Sequence, residues 1–257
     1  MSDKLDSTGA RTDKSRTKSS ELNYRENLDN IISNSSLTNI EKFQNFPKFI
    51  PTPDLRKFIC KEELYKKIID VHGVIIEGGV LYGGGLLTWG QLSEIYEPFN
   101  YTRKIFGFDT FEGFKEIHDK DKKSISSHLE KGKFAWPKFE ELENEIELFE
   151  KSKVLNHINK ISLIKGDVKK TIDEFVEENP YLVISLLYLD FDLYEPTLEI
   201  IKKLYPFMPK GSIIAFDELC NDLFVGETIA VLETIGINNL RIKRFEFGVA
   251  MSYAVIE

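Results

Sequence analysis

A doubly wound α/β fold, built on a mostly parallel sheet and finished by a C-terminal antiparallel hairpin, is what this chain predicts. Three observations carry that expectation. Short apolar runs rich in Val, Ile, Leu and Phe alternate with longer stretches of helical spacing, the rhythm of strands and helices in a doubly wound sheet. The run Leu182 to Leu189 is nearly all apolar, as a strand buried on both faces must be. Val74-Ile75-Ile76 ends in Glu77 and passes straight into Gly78, Gly79, Gly83, Gly84 and Gly85 before an apolar segment, which reads as a strand, a tight turn and a helix N-terminus.

Size and composition bound the function. A chain of 257 residues is long enough for one α/β domain with extensions, and 42% hydrophobic with 30% charged residues is ordinary for a globular protein. The balance of 34 basic and 42 acidic residues, a formal −8, offers nothing to a phosphate backbone, so nucleic acid is excluded as the expected partner. Cys60 and Cys220 are the only cysteines and have no CxxC spacing, which suits a reducing compartment and argues against a cysteine-rich metal site. No run reaches the roughly 18 apolar residues of a membrane span, and the N-terminus has no apolar signal core, so a cytoplasmic protein is expected.

In chain order, residues 1–22 are polar and are expected to form a disordered tail. Residues 23–70 read as a helical N-terminal extension or lid. Its first part, Tyr24 to Phe49, carries Leu28, Ile31, Ile32, Leu37, Ile40, Phe43 and Phe46 and is expected to pack on the domain; Asp54 is placed to cap the next helix. The main domain covers 71–257. After the glycine loop a helix is expected over Leu86 to Tyr96, then a strand over Ile105 to Asp109. The charged stretch Lys115 to Lys133, with His118 and His128, reads as a mobile excursion over the strand ends. Phe139 to Phe149 reads as a Glu-rich helix and Ile161 to Ile164 as a strand leading to Gly166-Asp167. Beyond Leu189, a helix over Pro196 to Tyr205, a strand over Ser212 to Phe216 and a helix over Glu227 to Ile235 follow. Arg241 to Phe247 and Ala250 to Ile256, joined at Gly248, complete the chain as a hairpin.

Five of the strands end in carboxylates: Glu77, Asp109, Asp167, Asp190 and Asp217. In a parallel sheet these all reach one edge, the edge where ligands bind. The spacing Gly79-x-x-x-Gly83-x-Gly85 is not the G-x-G-x-x-G of a nicotinamide fold, and no Lys follows the glycines as a P-loop requires. A glycine loop without a phosphate-neutralising cation, with Asp109 to take a ribose diol, suits S-adenosylmethionine.

The segments EGGVLYGGG, GFDTFEGF, GDVKKTI and LDFDLYEPTLEIIKKLYPFMPKGSIIAFDE, in this order between Glu77 and about Glu227, resemble the macrocin O-methyltransferase family, whose members methylate deoxysugar hydroxyls. The resemblance implies a class I, Rossmann-like methyltransferase domain over 71–257 that uses S-adenosylmethionine and a divalent metal, Mg²⁺. It implies that Glu77, Gly79, Gly83 and Gly85 hold the methionine part of the cofactor, Asp109 the ribose and Asp167 the adenine edge. Asp190, Asp217 and Glu218 match the metal positions, with Glu218 where the family commonly has Asp, and Tyr82 stands where the family tends to have Arg. Catalysis is assigned to Asp190, which with the metal positions the acceptor hydroxyl, and to Asp192 as proton acceptor, with helix capping as the other role for Asp192 and His118 or His128 as other bases. Trp136 is expected to line the acceptor pocket; Trp89 and Phe111 are expected to be packing residues. The acceptor is a saccharide or small molecule, and homo-oligomers are implied. The competing expectations are a catechol-type O-methyltransferase and a cofactor-binding protein without catalysis.

Overall fold

A computed structural model describes residues 17–247 and 250–257. Residues 1–16 of the expected tail and the expected hairpin joint Gly248 lie outside the described residues. Three helices come first: α1 (Ser19–Ser33), α2 (Asn39–Gln44) and α3 (Thr52–Lys67). The first starts inside the stretch expected to be a tail, because a helix needs only local hydrogen bonds and tolerates a wholly polar surface. A capping box starts α2, with the Thr38 hydroxyl accepting from Glu41 N and the Glu41 carboxylate accepting from Thr38 N. Neither α1 nor α2 buries a residue, and Ile31, Ile40 and Phe43 stay 59, 67 and 73% exposed, so this part of the extension does not pack on the domain as expected. Docking is left to α3, through Cys60, Lys61, Leu64 and Tyr65. Its N-cap is Pro51, and Asp54 falls in the first turn, where its charge complements the positive end of the helix without capping it.

The sheet has seven strands in the order β3-β2-β1-β4-β5-β7-β6. Five are parallel: β1 (Val74–Gly78), β2 (Ile105–Asp109), β3 (Ile161–Lys165), β4 (Ile184–Leu189) and β5 (Ile213–Phe216). At one edge β7 (Ser252–Val255) runs antiparallel to β5, and the two-residue β6 (Lys243–Arg244) pairs antiparallel with β7, giving the C-terminal hairpin. The chain order reverses between β1 and β4, which opens a crevice at the C-terminal ends of those two strands.

Alternation along the strands sorts the interior into two cores. On one face Ile75, Ile105, Leu186, Tyr188, Ile213 and Ala215 meet α3, α4 (Gly84–Tyr96) and α5 (Phe139–Ser152). On the other Ile76, Phe106, Phe108, Leu187, Leu189 and Phe216 meet α6 (Val168–Glu178), α7 (Tyr194–Leu204) and α8 (Gly226–Glu233). Helix α6 was not foreseen, although Val168, Ile172 and Phe175 recur at its inner face and Asp167 caps it by accepting from Lys169 N.

Two polar knots fix the sheet's ends. At the N-terminal edge Arg103, 2% exposed, donates to Glu97 through Nε at 2.9 Å, to the carbonyls of Ile68, Val71 and Gly73, and to Ser185 Oγ at 2.7 Å. At the other end the excursion over residues 115–133 is tied down rather than loose. Asp121, 1% exposed, accepts from Tyr194 N at 2.9 Å and His118 N at 3.2 Å, and Lys120 reaches Glu233 and the Tyr194 hydroxyl. A buried carboxylate at the N-terminus of α7 satisfies a donor that the helix leaves open, so the charged stretch is anchored by one of its own charges.

Candidate active site

The sheet's ladder continues one step beyond the formal strand ends. Asp190 N donates to Gly78 O, Asp217 N to Leu189 O and Gly79 N to Phe108 O. These bonds set the expected acids side by side at the crevice, where a cavity of about 720 Å³ is lined by Glu77, Asp109, Asp167, Asp190, Asp217 and Glu218 together with the glycine loop.

The loop itself is shaped for close approach. Gly79 (φ +87°) lies against the carbonyl of Asp190, which a Cβ would strike, and Gly83 (φ +82°) is the left-handed N-cap of α4. Gly85 has the Glu77 carboxylate where its side chain would be. Asp109 holds the loop from the side, with Oδ2 accepting from Val80 N and Leu81 N at 2.8 Å each and Oδ1 from Phe111 N at 2.7 Å. Asp167 lines the same cavity from the cap of α6.

Glu77 and Tyr188 are register partners on adjacent strands, so both point to the α3 and α4 face. There Glu77, 2% exposed, accepts from Lys61 Nζ at 3.2 Å and from the Trp89 indole N–H. Burial raises the Glu77 carboxyl above its ordinary pKa, and Lys61 works against that shift. The Lys61 ammonium also lies 3.6 Å from the centre of the Tyr188 ring and 4.4 Å from that of Trp89. Trp89 is thus a packing and donor residue, and Phe111, 2% exposed and edge-on to Phe139, is also packed. Trp136 stands edge-on to Tyr82 at 5.3 Å and is not among the residues lining the cavity. Of the two excursion histidines, His128 lines the cavity and His118 packs against the Tyr194 ring at 4.9 Å with the two planes tilted by 42°.

The acid cluster is the electrostatic centre. Asp217, 5% exposed, accepts from the Tyr188 hydroxyl at 2.7 Å, and its other oxygen is 3.5 Å from Lys57 Nζ. Burial, then Asp217 and Asp192, push the Asp190 carboxyl well above its ordinary range. Lys57 is raised, chiefly by Asp217 and further by Asp190 and Glu218. Strand β4 stops at Leu189, so alternation does not place Asp192; it sits beyond the strand in a left-handed turn (φ +63°), and Leu193 takes the N-cap of α7. Glu218 accepts from the Asn221 side-chain amide.

Glu227, which sequence reasoning placed only as the start of α8, is fully buried behind Glu218. Its Oε1 accepts from Glu218 N at 3.0 Å, and its Oε2 is buried with no hydrogen-bond partner among the described residues. Burial, with Asp217, Asp190 and Glu218 adding, raises its pKa well above 4.5. A proton is therefore bound more tightly in the folded chain than in the unfolded one, and stability is lost as pH rises from about 4.5 through the folded-state pKa. Glu227→Gln removes this loss: in chelator-treated protein the variant should gain stability over the parent at pH 8 and match it near pH 4, read by urea denaturation. An equal gap at both pH values would refute the buried-charge assignment.

Sequence reasoning also missed Lys57, Lys61 and Tyr188. The signals were a phenol at the C-terminal end of the wholly buried ISLLYL of β4 and a lysine in the buried stripe of α3.

As for a metal, among the described residues no three His, Cys, Asp or Glu side chains converge closely enough to ligate one ion. The donors are nonetheless of the right chemistry, hard carboxylate oxygens gathered about an ammonium, with an unpartnered buried carboxylate oxygen behind them. The glycine cradle likewise fits a cofactor that approaches the backbone. Among the described residues no helix is long and apolar enough to cross a membrane.

A sheet of this order with a glycine loop after β1 and an acid ending β2 defines a class I, S-adenosylmethionine-dependent methyltransferase. The family model Macrocin-O-methyltransferase (TylF) matches residues 59–230, and the chain belongs to that family of O-methyltransferases. The structure of CalS11, a calicheamicin methyltransferase, is 33% identical, covers 96% of this chain and 97% of its own, and superposes with a TM-score of 0.89. The apo structure of CalS11, described as a TDP-rhamnose 3'-O-methyltransferase, is 31% identical over 93% of this chain and 96% of its own, with a TM-score of 0.79. The O-methyltransferase NovP, at 19% identity, 78 and 79% coverage and a TM-score of 0.61, shares the fold. A comparison with curated protein sequences finds no significant match.

Proposed function

We propose that this O-methyltransferase acts on a hydroxyl of a sugar, carried by a glycoside, a nucleotide sugar or a polysaccharide, with Mg²⁺ held by Asp190, Asp217 and Glu218. The observation that carries this reading is one cavity lined by the glycine loop, Asp109 and the three acids together. Cofactor and acceptor sites open into the same space, as an in-line transfer demands.

When bound, S-adenosylmethionine supplies a sulfonium methyl group and the divalent ion supplies positive charge that lowers the pKa of an acceptor hydroxyl. The chain's own residues do the rest. Glu77 and the backbone of Gly79, Gly83 and Gly85 receive the methionine part, with Glu77 steadied by Lys61 and by the Trp89 indole of α4. Asp109 takes the ribose hydroxyls and Asp167 the adenine edge. Asp192, beside Asp190 at the turn into α7, accepts the proton that leaves the acceptor oxygen. Helix α3 lines the cavity through Asp54, Lys57, Phe58 and Lys61, which supports a lid role for that part of the N-terminal extension.

The test is product analysis by mass spectrometry with S-adenosylmethionine, Mg²⁺ and a set of acceptors: TDP-rhamnose, a simple rhamnoside and catechol. Methylation of a sugar acceptor is expected, and turnover of catechol alone would replace the saccharide reading with a phenol one. In parallel, Asp109→Ala is expected to weaken S-adenosylhomocysteine binding about a hundredfold by calorimetry, the loss of two charge-assisted hydrogen bonds at about 1.5 kcal/mol each. Unchanged binding would remove Asp109 from the cofactor site.

A further inference from the structure

The ammonium at the acid cluster comes from outside the strand ends. Lys57 and Lys61 lie one turn apart on α3 and both reach into the cavity, but they are held very differently. Lys61, with 7% of its side chain exposed, is clamped by Glu77 and by the rings of Trp89 and Tyr188. Lys57 keeps 57% of its side chain exposed and makes one long polar contact, 3.5 Å to Asp217 Oδ2. Asp217 itself stays fixed from the other side by the Tyr188 hydroxyl. The ammonium can therefore leave without unmaking anything else.

The charge count around it points the same way. Asp190, Asp217, Glu218 and Glu227 lie within electrostatic reach of one another, Lys61 is committed to Glu77, and Glu227 Oε2 has no hydrogen-bond partner among the described residues. Lys57 is the ammonium that faces Asp217, with Asp190 and Glu218 close by, and a divalent ion at the same oxygens would repel it strongly at such a distance.

We propose that Lys57 is a tethered competitor for the divalent cation. It neutralises Asp217 and its neighbours while the cation is away and swings towards solvent on its flexible stem when the cation enters. The affinity for the ion is then set partly by α3, in the N-terminal extension, and not by the carboxylates alone. This inference rests on the metal reading given under the proposed function.

The experiment is calorimetric titration of Mg²⁺ and of Mn²⁺ into the chelator-stripped full chain, without cofactor or acceptor, for the parent, Lys57→Met and Lys57→Arg. Lys57→Met is expected to bind the ion about fivefold more tightly, the upper range for an ion pair whose ammonium is exposed to solvent. Lys57→Arg keeps the competing charge and should stay within about twofold of the parent on the same scale. The gap between parent and Met variant should shrink in about 1 M KCl, where the screening length falls to about 3 Å. Equal or weaker binding by Lys57→Met overturns the proposal while leaving the metal reading intact. No binding by any of the three overturns both, and S-adenosylhomocysteine binding by the same samples then shows whether the cofactor site stands.

Discussion

Arg103→Ala is expected to cost about 3–5 kcal/mol of folding stability, the range for removing one partner of a buried ion pair. The guanidinium is 2% exposed and holds together three segments that meet at the N-terminal edge of the sheet. It meets the carbonyls of Ile68, Val71 and Gly73 before β1, Ser185 Oγ in β4 and the Glu97 carboxylate after α4. Truncation leaves those carbonyls buried without this donor and Glu97 with only neutral donors, Tyr65 and Asn100. Lysine cannot replace it, since one ammonium has neither the fork nor the span to reach carbonyls and carboxylate together. Urea denaturation monitored by circular dichroism is the check: the midpoint should fall with an unchanged slope. A loss below about 1 kcal/mol, the size of a single ordinary hydrogen bond, would mean that the knot is redundant. Because Arg103 lies at the far end of the strands from the cavity, the folded fraction of the variant should bind S-adenosylhomocysteine as the parent does.

The second large effect is on chemistry and leaves the fold alone. On the metal reading proposed above, Asp217→Asn is expected to lower kcat about a thousandfold, since the several kcal/mol that a bound cation would supply are lost with this carboxylate. The substitution keeps the shape and an oxygen to accept from the Tyr188 hydroxyl, so the core beneath should not move. It deletes the charge that faces Lys57 and relieves the repulsion with Asp190. Stability should therefore hold or rise, and S-adenosylhomocysteine affinity should stay within about threefold, less than 1 kcal/mol. Turnover equal to the parent's would sink the assignment of Asp217 to the metal, whatever the acceptor proves to be.

How far the chain could be read beforehand depended on whether a feature was local. The strand Ile105–Asp109 was expected with the bounds it has, because an apolar run closed by a charged residue is a complete signal in itself. The carboxylates of β1, β2, β4 and β5 came together as expected, since parallel strands bring their C-terminal ends to one edge. Partners distant in sequence were not legible. Spacing shows that Lys61 falls on the buried stripe of α3, but not that Glu77 waits for it, nor that the Tyr188 ring lies beneath its ammonium. The charged stretch after Lys115 misled for a related reason: its composition is that of a loose loop, and the buried Asp121 carboxylate, together with the contacts of Lys120, reverses that. Helix α6 was overlooked because its inner face is only Val168, Ile172 and Phe175 among charged neighbours.

The hairpin edge of the sheet has a consequence for solubility. Strand β6 is only Lys243 and Arg244, both exposed. A stray extended segment arriving there finds two rungs to pair with and two positive charges beside them, and the same edge of another molecule brings charges of the same sign. The sheet therefore cannot serve as a template for its own extension at that side, so crowding many copies together should not seed cross-β aggregation from the hairpin.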